Sequence, residues 1–252
     1  MTVHFVGAGP GSPDLITLRA QRLLSQADVV IHAGSLVNPV LLDYVQPDCH
    51  LHDSAEMTLD EVIAVMEEAE ALDKMTVRLH SGDPSLYGAI HEQMRALDSR
   101  SIGYDICPGV SSFSAAAAAL QIEYTVPETT QSLVITRMAG RTPMPRSESV
   151  AEFAQHGSSM VIFLSTTLLT KVTDDLIRAG RRPSDPARIV YKASWPDEQV
   201  YPCTIGTLAD TAEAHGIRST ALIVVGPCLN ESDAVSRLYA DNFSTGFREA
   251  KT

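Results

Sequence analysis

The stretch Val3-His4-Phe5-Val6-Gly7-Ala8-Gly9-Pro10-Gly11-Ser12 decides how the chain is read. A short β-branched and aromatic run leads into a glycine-rich turn, and Ser12 with Pro13 offers an N-cap and a first-turn proline to a following helix. Strand, glycine turn and helix in that order open a dinucleotide-binding fingerprint. The details depart from it. Ser12 stands where the third glycine belongs, and Pro10 removes a backbone N–H where a phosphate cradle needs donors. The next strand ends in His32 and Ala33, with no carboxylate to grip a ribose. Three readings stay open on this segment alone: a nucleotide cradle, a tight turn without a ligand, and a turn lining a different kind of pocket.

Working outward, strand-like runs recur at Val29–Ala33, Thr76–His80 and Tyr104–Cys107, then at Leu133–Thr136, Met160–Leu164, Ile189–Ala193 and Ala221–Gly226. Amphipathic segments lie between them. Leu15, Ile16, Ala20, Leu23, Leu24 and Ala27 share one helical face, and Thr58-Leu59-Asp60-Glu61 is a capping box opening a second helix. This alternation predicts an α/β fold with largely parallel sheets. Pro127 breaks the pattern after the Ala-rich helix Ser114–Leu120, so two α/β domains are expected, 1–122 and 123–230, with a polar tail at 231–252. The long loop Arg137–Pro145 follows the first strand of the second domain, and loops of that length usually carry function.

Composition bounds the partners. The 252 residues are 44% hydrophobic and 20% charged, as in a globular protein, and no apolar run approaches a membrane span. No basic segment with a cleavage site precedes the first strand, so a cytoplasmic location is expected. The net charge of -12 argues against nucleic acid, although a locally basic pocket for a small anion is compatible with it. Cys49, Cys107, Cys203 and Cys228 are scattered without metal-ligand spacing and read as free thiols, and no metal is expected.

Gly7-Ala8-Gly9-Pro10-Gly11-Ser12-Pro13-Asp14-Leu15-Ile16-Thr17 resembles the opening motif of the tetrapyrrole methylases. His80-Ser81-Gly82-Asp83-Pro84-Ser85-Leu86-Tyr87-Gly88 resembles their second motif and Pro108-Gly109-Val110-Ser111-Ser112 their third. The resemblance spans roughly residues 3–228. It implies two α/β domains, unlike the Rossmann-type methyltransferase fold, with S-adenosylmethionine (SAM) in an inter-domain cleft and S-adenosylhomocysteine as product. It also implies a homodimer. Ser12 departs from the family's commoner Asp, and both residue types can cap a helix. Within the family, Ala33–Val37, Asp53–Ala55, Thr136–Pro143 and Tyr191–Glu198 resemble the branch that acts on precorrin-4 or cobalt-precorrin-4, which implies methylation at C11 in cobalamin biosynthesis. The uroporphyrinogen branch typically shows an Asp-Ala-Leu-Val-like run where Gly34-Ser35-Leu36-Val37 stands.

Carried over residue by residue, the resemblance places the cofactor against Pro10, Ser81, Gly82, Asp83, Leu86, Ser111 and Ser112. Leu164, Ala193, Thr220 and Ala221 align with positions lining its adenine side, although Leu164 and Ala193 read equally well as core residues. A carboxylate-rich macrocycle needs donors, and Arg137 and Arg141 are the expected substrate contacts, with His32, His80, Arg78 and Arg146 as weaker candidates. Trp195 is either a platform for a ring or a core aromatic. Methyl transfer is an in-line displacement at carbon on a sulfonium, favoured by a dry site and needing no metal or nucleophilic triad. No catalytic residue is assigned, because Glu128, Asp53 and His32 are equally conceivable bases. Three rivals stand beside this reading. They are methylation at another corrinoid carbon, a corrinoid-binding protein without chemistry, and an NAD-dependent oxidoreductase, which would need the missing ribose carboxylate.

Overall fold

Short apolar runs that are buried on both sides make sheets, and here they make two. The computed structural model describes residues 2–232, 234–236 and 240–250. The chain divides into one unit of Met1–Ala119 with Lys192–Gln199 and another of Leu120–Tyr191 with Val200–Thr252. The sequence pattern places 192–199 with the second domain, but the structure groups this segment with the first unit. Among the described residues, no helix is long and apolar enough to cross a membrane.

In the first unit, β1 (Val3–Gly7), β2 (Val29–His32), β3 (His50–Asp53), β4 (Thr76–His80) and β5 (Tyr104–Cys107) form a sheet in the order β3-β2-β4-β1-β5. Every pairing in it is parallel. Helices α1 (Leu18–Leu24), α2 (Leu59–Ala71), α3 (Ile90–Asp98) and α4 (Ser112–Leu120) belong to the same half of the chain. One sheet face packs Val3, Phe5, Val29 and Ile31 on Ile63 and Met66 of α2 and Leu97 of α3. The opposite face packs Val6, Val30, Val77 and Leu79 on Ala20 and Leu24 of α1. Burial on both faces explains why β2 reads as a continuous apolar run rather than an alternating one. The capping box at α2 forms, with Glu61 accepting from the Thr58 N–H at 2.6 Å and Thr58 Oγ1 accepting from the Glu61 N–H at 3.3 Å.

The first helix begins later than its apolar face suggests. Pro13–Leu15 is a separate 3-10 turn, and the Ser12 hydroxyl does not cap it but donates to the Asp14 carboxylate. The cap of α1 is Thr17, whose Oγ1 accepts from the Ala20 N–H at 3.1 Å. Strand β3 has no apolar alternation to announce it, because it is an exposed strand at the sheet edge.

The second unit contains β6 (Leu133–Arg137), α5 (Val150–Ala154), β7 (Ser159–Phe163), α6 (Leu169–Arg178), β8 (Pro186–Tyr191), β9 (Gln199–Thr204), α7 (Leu208–Ala214) and β10 (Ala221–Val225). Its sheet order is β6-β7-β10-β8-β9. This sheet is mixed, which corrects the expectation of largely parallel pairing: β6 and β7 are parallel, and β10 is antiparallel to both β7 and β8. Hydrophobicity shows that β10 is buried but carries no signal of its direction. Its core joins Met160, Ile162, Ile189 and Ile223 to Leu169, Val172 and Leu176 of α6 and Leu208 of α7. Strand β9, another edge, carries Pro202, which a central strand would not tolerate.

One feature of β4 runs against the apolar pattern. Thr76, Arg78 and His80 alternate onto the face that packs against α2 and α3, and all three are buried. His80 lies 6.1 Å from the Phe5 ring, and its Nε2 has no hydrogen-bond partner among the described residues. Burial, reinforced by the Arg78 charge, lowers the His80 pKa to about 3. A folded-state value below the unfolded one means the folded protein binds fewer protons. The stability His80 contributes is therefore complete above about pH 6.5 and declines as pH falls toward 3. Denaturant unfolding at pH 7 and pH 4.5 checks this: His80→Phe should lose about 2–3 kcal/mol less than the parent chain between the two pH values. An equal loss in both proteins would contradict it.

Candidate functional site

Three loops leave the carboxyl ends of β1, β4 and β5, where parallel α/β sheets present ligands. They are 8–12, 81–89 and 108–111, and they interlock through their backbones. The Gly9 N–H donates to the Gly82 carbonyl at 3.2 Å, and the Gly82 N–H donates to the Gly9 carbonyl at 2.8 Å. The Ala8 N–H donates to the His80 carbonyl at 2.7 Å. A Cβ added at Gly109 would lie 2.1 Å from the Gly82 oxygen, so only glycine allows the third loop to approach the second this closely.

Asp83 fastens the junction. Its Oδ2 accepts from the Gly109 N–H at 2.9 Å, and its Oδ1 accepts from the Ser85 N–H at 2.8 Å and from the Ser85 hydroxyl. Partial burial works to raise the Asp83 pKa, but the hydrogen bonds from Ser85 and Gly109 outweigh it and hold the carboxyl below its ordinary value. Asp83 is therefore an ionised staple between the second and third motifs. The hydroxyls of Ser81, Ser111 and Ser112 have no side-chain hydrogen-bond partner among the described residues, and Ser111 Cα and Ser112 N are each 3.6 Å from where a Gly82 Cβ would stand. Leu86 is half-buried, and its N–H donates to the Asp83 carbonyl at 3.2 Å.

The segment 192–199 closes on the first loop. Trp195 Nε1 donates to the Pro10 carbonyl at 3.0 Å, and the Ser12 N–H donates to Ser194 Oγ at 3.0 Å. A Cβ at Gly11 would meet Trp195 Cδ1 at 2.0 Å, so the indole ring occupies the space that a side chain at 11 would need. Asn38 completes the arrangement, its amide donating to the Gly11 carbonyl at 2.8 Å while its Oδ1 caps the turn at Val40. Trp195 is thus the lid of the glycine turn. Ala193, expected at the end of a strand in the second domain, lies beyond the end of β8, is buried, and belongs to the first unit. Asn38 lies outside every quoted motif, and Ser194 lies within the stretch Tyr191–Glu198 but had no role assigned to it. The sequence signal available for Asn38 was its position before Pro39, where it caps a turn.

In the second unit, Arg137, Leu164, Thr220 and Ala221 gather at one end of the sheet. Arg137 pairs with Phe163 across β6 and β7, and Ala221 begins β10 opposite Tyr191. Leu164 and Thr220 flank these strands with left-handed backbones, φ 50° and 54°, and Leu164 is 63% exposed. A non-glycine residue held left-handed with its apolar side chain in the open is a strained arrangement of the kind that collects at ligand sites. Arg137 is directed inward to its own loop, with its guanidinium donating to the carbonyls of Met138, Thr142 and Pro143. Arg141 is exposed on that loop, and Arg146 is exposed at the start of the 3-10 turn that follows it.

Two weaker candidates are corrected. Arg78 and His80 are buried in the first unit's sheet, where burial lowers the Arg78 pKa to about 10, and neither is presented at the loop ends. Among the possible bases, Asp53 caps the turn at Ala55, His32 ends β2, and Glu128 is exposed with φ 58°. Among the described residues, no cluster of His, Cys, Asp or Glu could hold a metal ion.

At the loop ends of the first unit the polar groups are neutral hydroxyls, loop amides and one ionised carboxylate. They suit a zwitterionic, hydroxyl-bearing ligand better than a polyphosphate. The sequence pattern of the Tetrapyrrole (Corrin/Porphyrin) Methylases matches residues 2–209. Cobalt-precorrin-4 C(11)-methyltransferase of Methanocaldococcus jannaschii is 46% identical over 98% of this chain and 96% of its own. Precorrin-4 C(11)-methyltransferase of Sinorhizobium sp is also 46% identical, over 98% of each. The X-ray structure of a cobalt precorrin-4 methyltransferase superposes with a TM-score of 0.88 at 43% identity, covering 91% of this chain and 96% of that one. Uroporphyrin-III C-methyltransferase of Thermus thermophilus, solved with S-adenosylhomocysteine, gives 0.76 at 25% identity, covering 91% and 99%.

The seating of Trp195 is open to test, because it is the chain's one tryptophan. Gly11→Ala should displace the ring, red-shift the intrinsic emission and cost roughly 1–3 kcal/mol of stability in denaturant unfolding, as overpacking does. Unchanged emission and stability would show that the ring is not seated there.

Proposed function

The chain belongs to the tetrapyrrole (corrin/porphyrin) methylases, and from that membership we propose that it transfers a methyl group from SAM to C11 of precorrin-4 or cobalt-precorrin-4 in cobalamin biosynthesis. The observation that carries the cofactor assignment is the interlock of Gly9, Gly82 and Gly109 with the Asp83 staple, which brings three separated motifs to one place. The site of methylation rests on the relatives' names, which specify C11. Relatives named with and without cobalt are equally similar, so the proposed substrate is the precorrin-4 macrocycle with the metal as its variable part.

When bound, SAM supplies an electrophilic methyl on a sulfonium. The chain's part is binding, orientation and exclusion of water. In this reading the hydroxyls of Ser81, Ser111 and Ser112 and the amides around Gly82 hold the polar parts of the cofactor, and Pro10 lines the turn beside them. Asp83 keeps those groups in register rather than reacting, and its ionised carboxylate favours a cation nearby. Leu86, Leu164, Ala193, Thr220 and Ala221 supply apolar or weakly polar surface. Methyl transfer discharges the sulfonium, so such surface, being poorly hydrated, favours the transition state over the charged ground state. Arg141 offers its exposed guanidinium to the substrate's carboxylates, and Arg137 holds the loop that presents it. The same membership supports a cytoplasmic homodimer.

Incubation with methyl-labelled SAM and precorrin-4, with and without cobalt, followed by NMR of the product, tests the proposal. Label at C11 is expected with at least one of the two macrocycles. Label at any other carbon, or none with either, would overturn the assignment.

A further inference from the structure

The loop 81–89 is anchored at its start by β4, but its far end enters α3 through a difficult backbone. Ala89, the N-cap of α3, is left-handed at φ 51° and ψ 36° and has no side-chain cap, and Tyr87 is also left-handed at φ 58°. Each such non-glycine residue costs on the order of 1–3 kcal/mol and persists only when its surroundings over-determine it. Ser, Asn or Asp at position 89 would be the usual means of fixing a helix start, and alanine provides none.

The surroundings supply another means. Gln93, on the first turn of α3 and 5% exposed, donates from Nε2 to the Ala89 carbonyl at 3.0 Å. Its Oε1 accepts from Arg78 Nε at 3.2 Å, and Arg78 NH1 donates to the Ile31 carbonyl of β2 at 3.1 Å. Arg78 is 7% exposed and has no carboxylate among its described partners. A buried cation held only by an amide and a carbonyl is an expensive choice in a core where an apolar residue would fit. What the arrangement achieves is a fixed orientation for the Gln93 amide. An unassisted glutamine could turn its oxygen toward Ala89, but Arg78 demands that oxygen, so the NH2 must face the Ala89 carbonyl. Both ends of the loop are then referred to β4: His80 begins it, and Arg78, two residues earlier, holds its end through Gln93.

We propose that Gln93, oriented by Arg78, is a positioning residue for the cofactor loop, setting the place of Ser81, Gly82, Asp83 and Leu86 by fixing the far end of the segment that carries them. This rests on the reading that 81–86 bind the cofactor, and the test separates the two. Gln93→Glu keeps an acceptor for Arg78 and removes the donor to Ala89. In the ligand-free protein, hydrogen exchange of the amides 86–89 should quicken about fivefold or more. S-adenosylhomocysteine should bind about tenfold more weakly by calorimetry, with the thermal midpoint kept and KM for the tetrapyrrole unchanged. Gln93→Leu, which also strands the Arg78 charge, should match the exchange result and lower the midpoint as well. Parental exchange at 86–89 in Gln93→Glu would overturn the proposal, whatever the affinity does. Faster exchange in a protein whose parent binds no S-adenosylhomocysteine would uphold the positioning role and refute the cofactor reading.

Discussion

Everything at the candidate site depends on how closely three backbones approach one another. The turn after β1, the loop after β4 and the turn after β5 are in contact through main-chain atoms, and there is no room at Gly109 for a methyl group. Close approach lets Gly9 and Gly82 exchange hydrogen bonds and brings the Gly109 N–H within reach of Asp83. Side chains could not substitute for this contact at Gly7 or Gly109, where a Cβ would run into the facing backbone, while Gly82 is required by its left-handed φ of 64°. Beside that junction lie Ser81 and Ser112, half-buried, and Ser111, buried, whose hydroxyls have no side-chain hydrogen-bond partner among the described residues.

The same economy appears in the charges. Asp83 is ionised but satisfied by Ser85 of its own turn and by the Gly109 N–H, Arg137 is occupied by its own loop, and Arg78 is buried in the sheet. The groups left to meet a ligand in the first unit are mostly neutral hydroxyls and amides. In the proposed function such a surface would suit a hydroxyl-bearing zwitterion, with the Asp83 carboxylate already engaged by hydrogen bonds, and the exposed Arg141 would be left for an anionic macrocycle. The net charge of -12 is no obstacle, because it is distributed over the whole chain rather than over these loops.

Much of this was legible in the residues. The motif around Gly7–Ser12, the capping box at Thr58 and the apolar runs of β1 and β2 report on local geometry, which spacing encodes well. Strands β3 and β9 were not legible, because these two edges, His-Leu-His-Asp and a run broken by Pro202, lack the apolar pattern that the edges β5 and β6 still carry. The direction of β10 was hidden because burial on both faces looks the same either way round. Ser12 resembled a cap by residue type, yet its hydroxyl turned to Asp14 and Thr17 took the role. The return of 192–199 to the first unit, and with it the role of Trp195, depends on packing between residues more than 180 positions apart. Arg78 looked like an anion contact because sequence gives residue type without burial.

The central claim is that the interlocked loops form the cofactor floor. Backbone amide NMR during titration with S-adenosylhomocysteine tests it most directly. Shift changes should concentrate at Gly9–Ser12, Ser81–Leu86 and Gly109–Ser112. Changes that leave those amides still and gather elsewhere, for example around the hollow lined by Thr166, Thr170 and Glu213 in the second unit, would contradict the account.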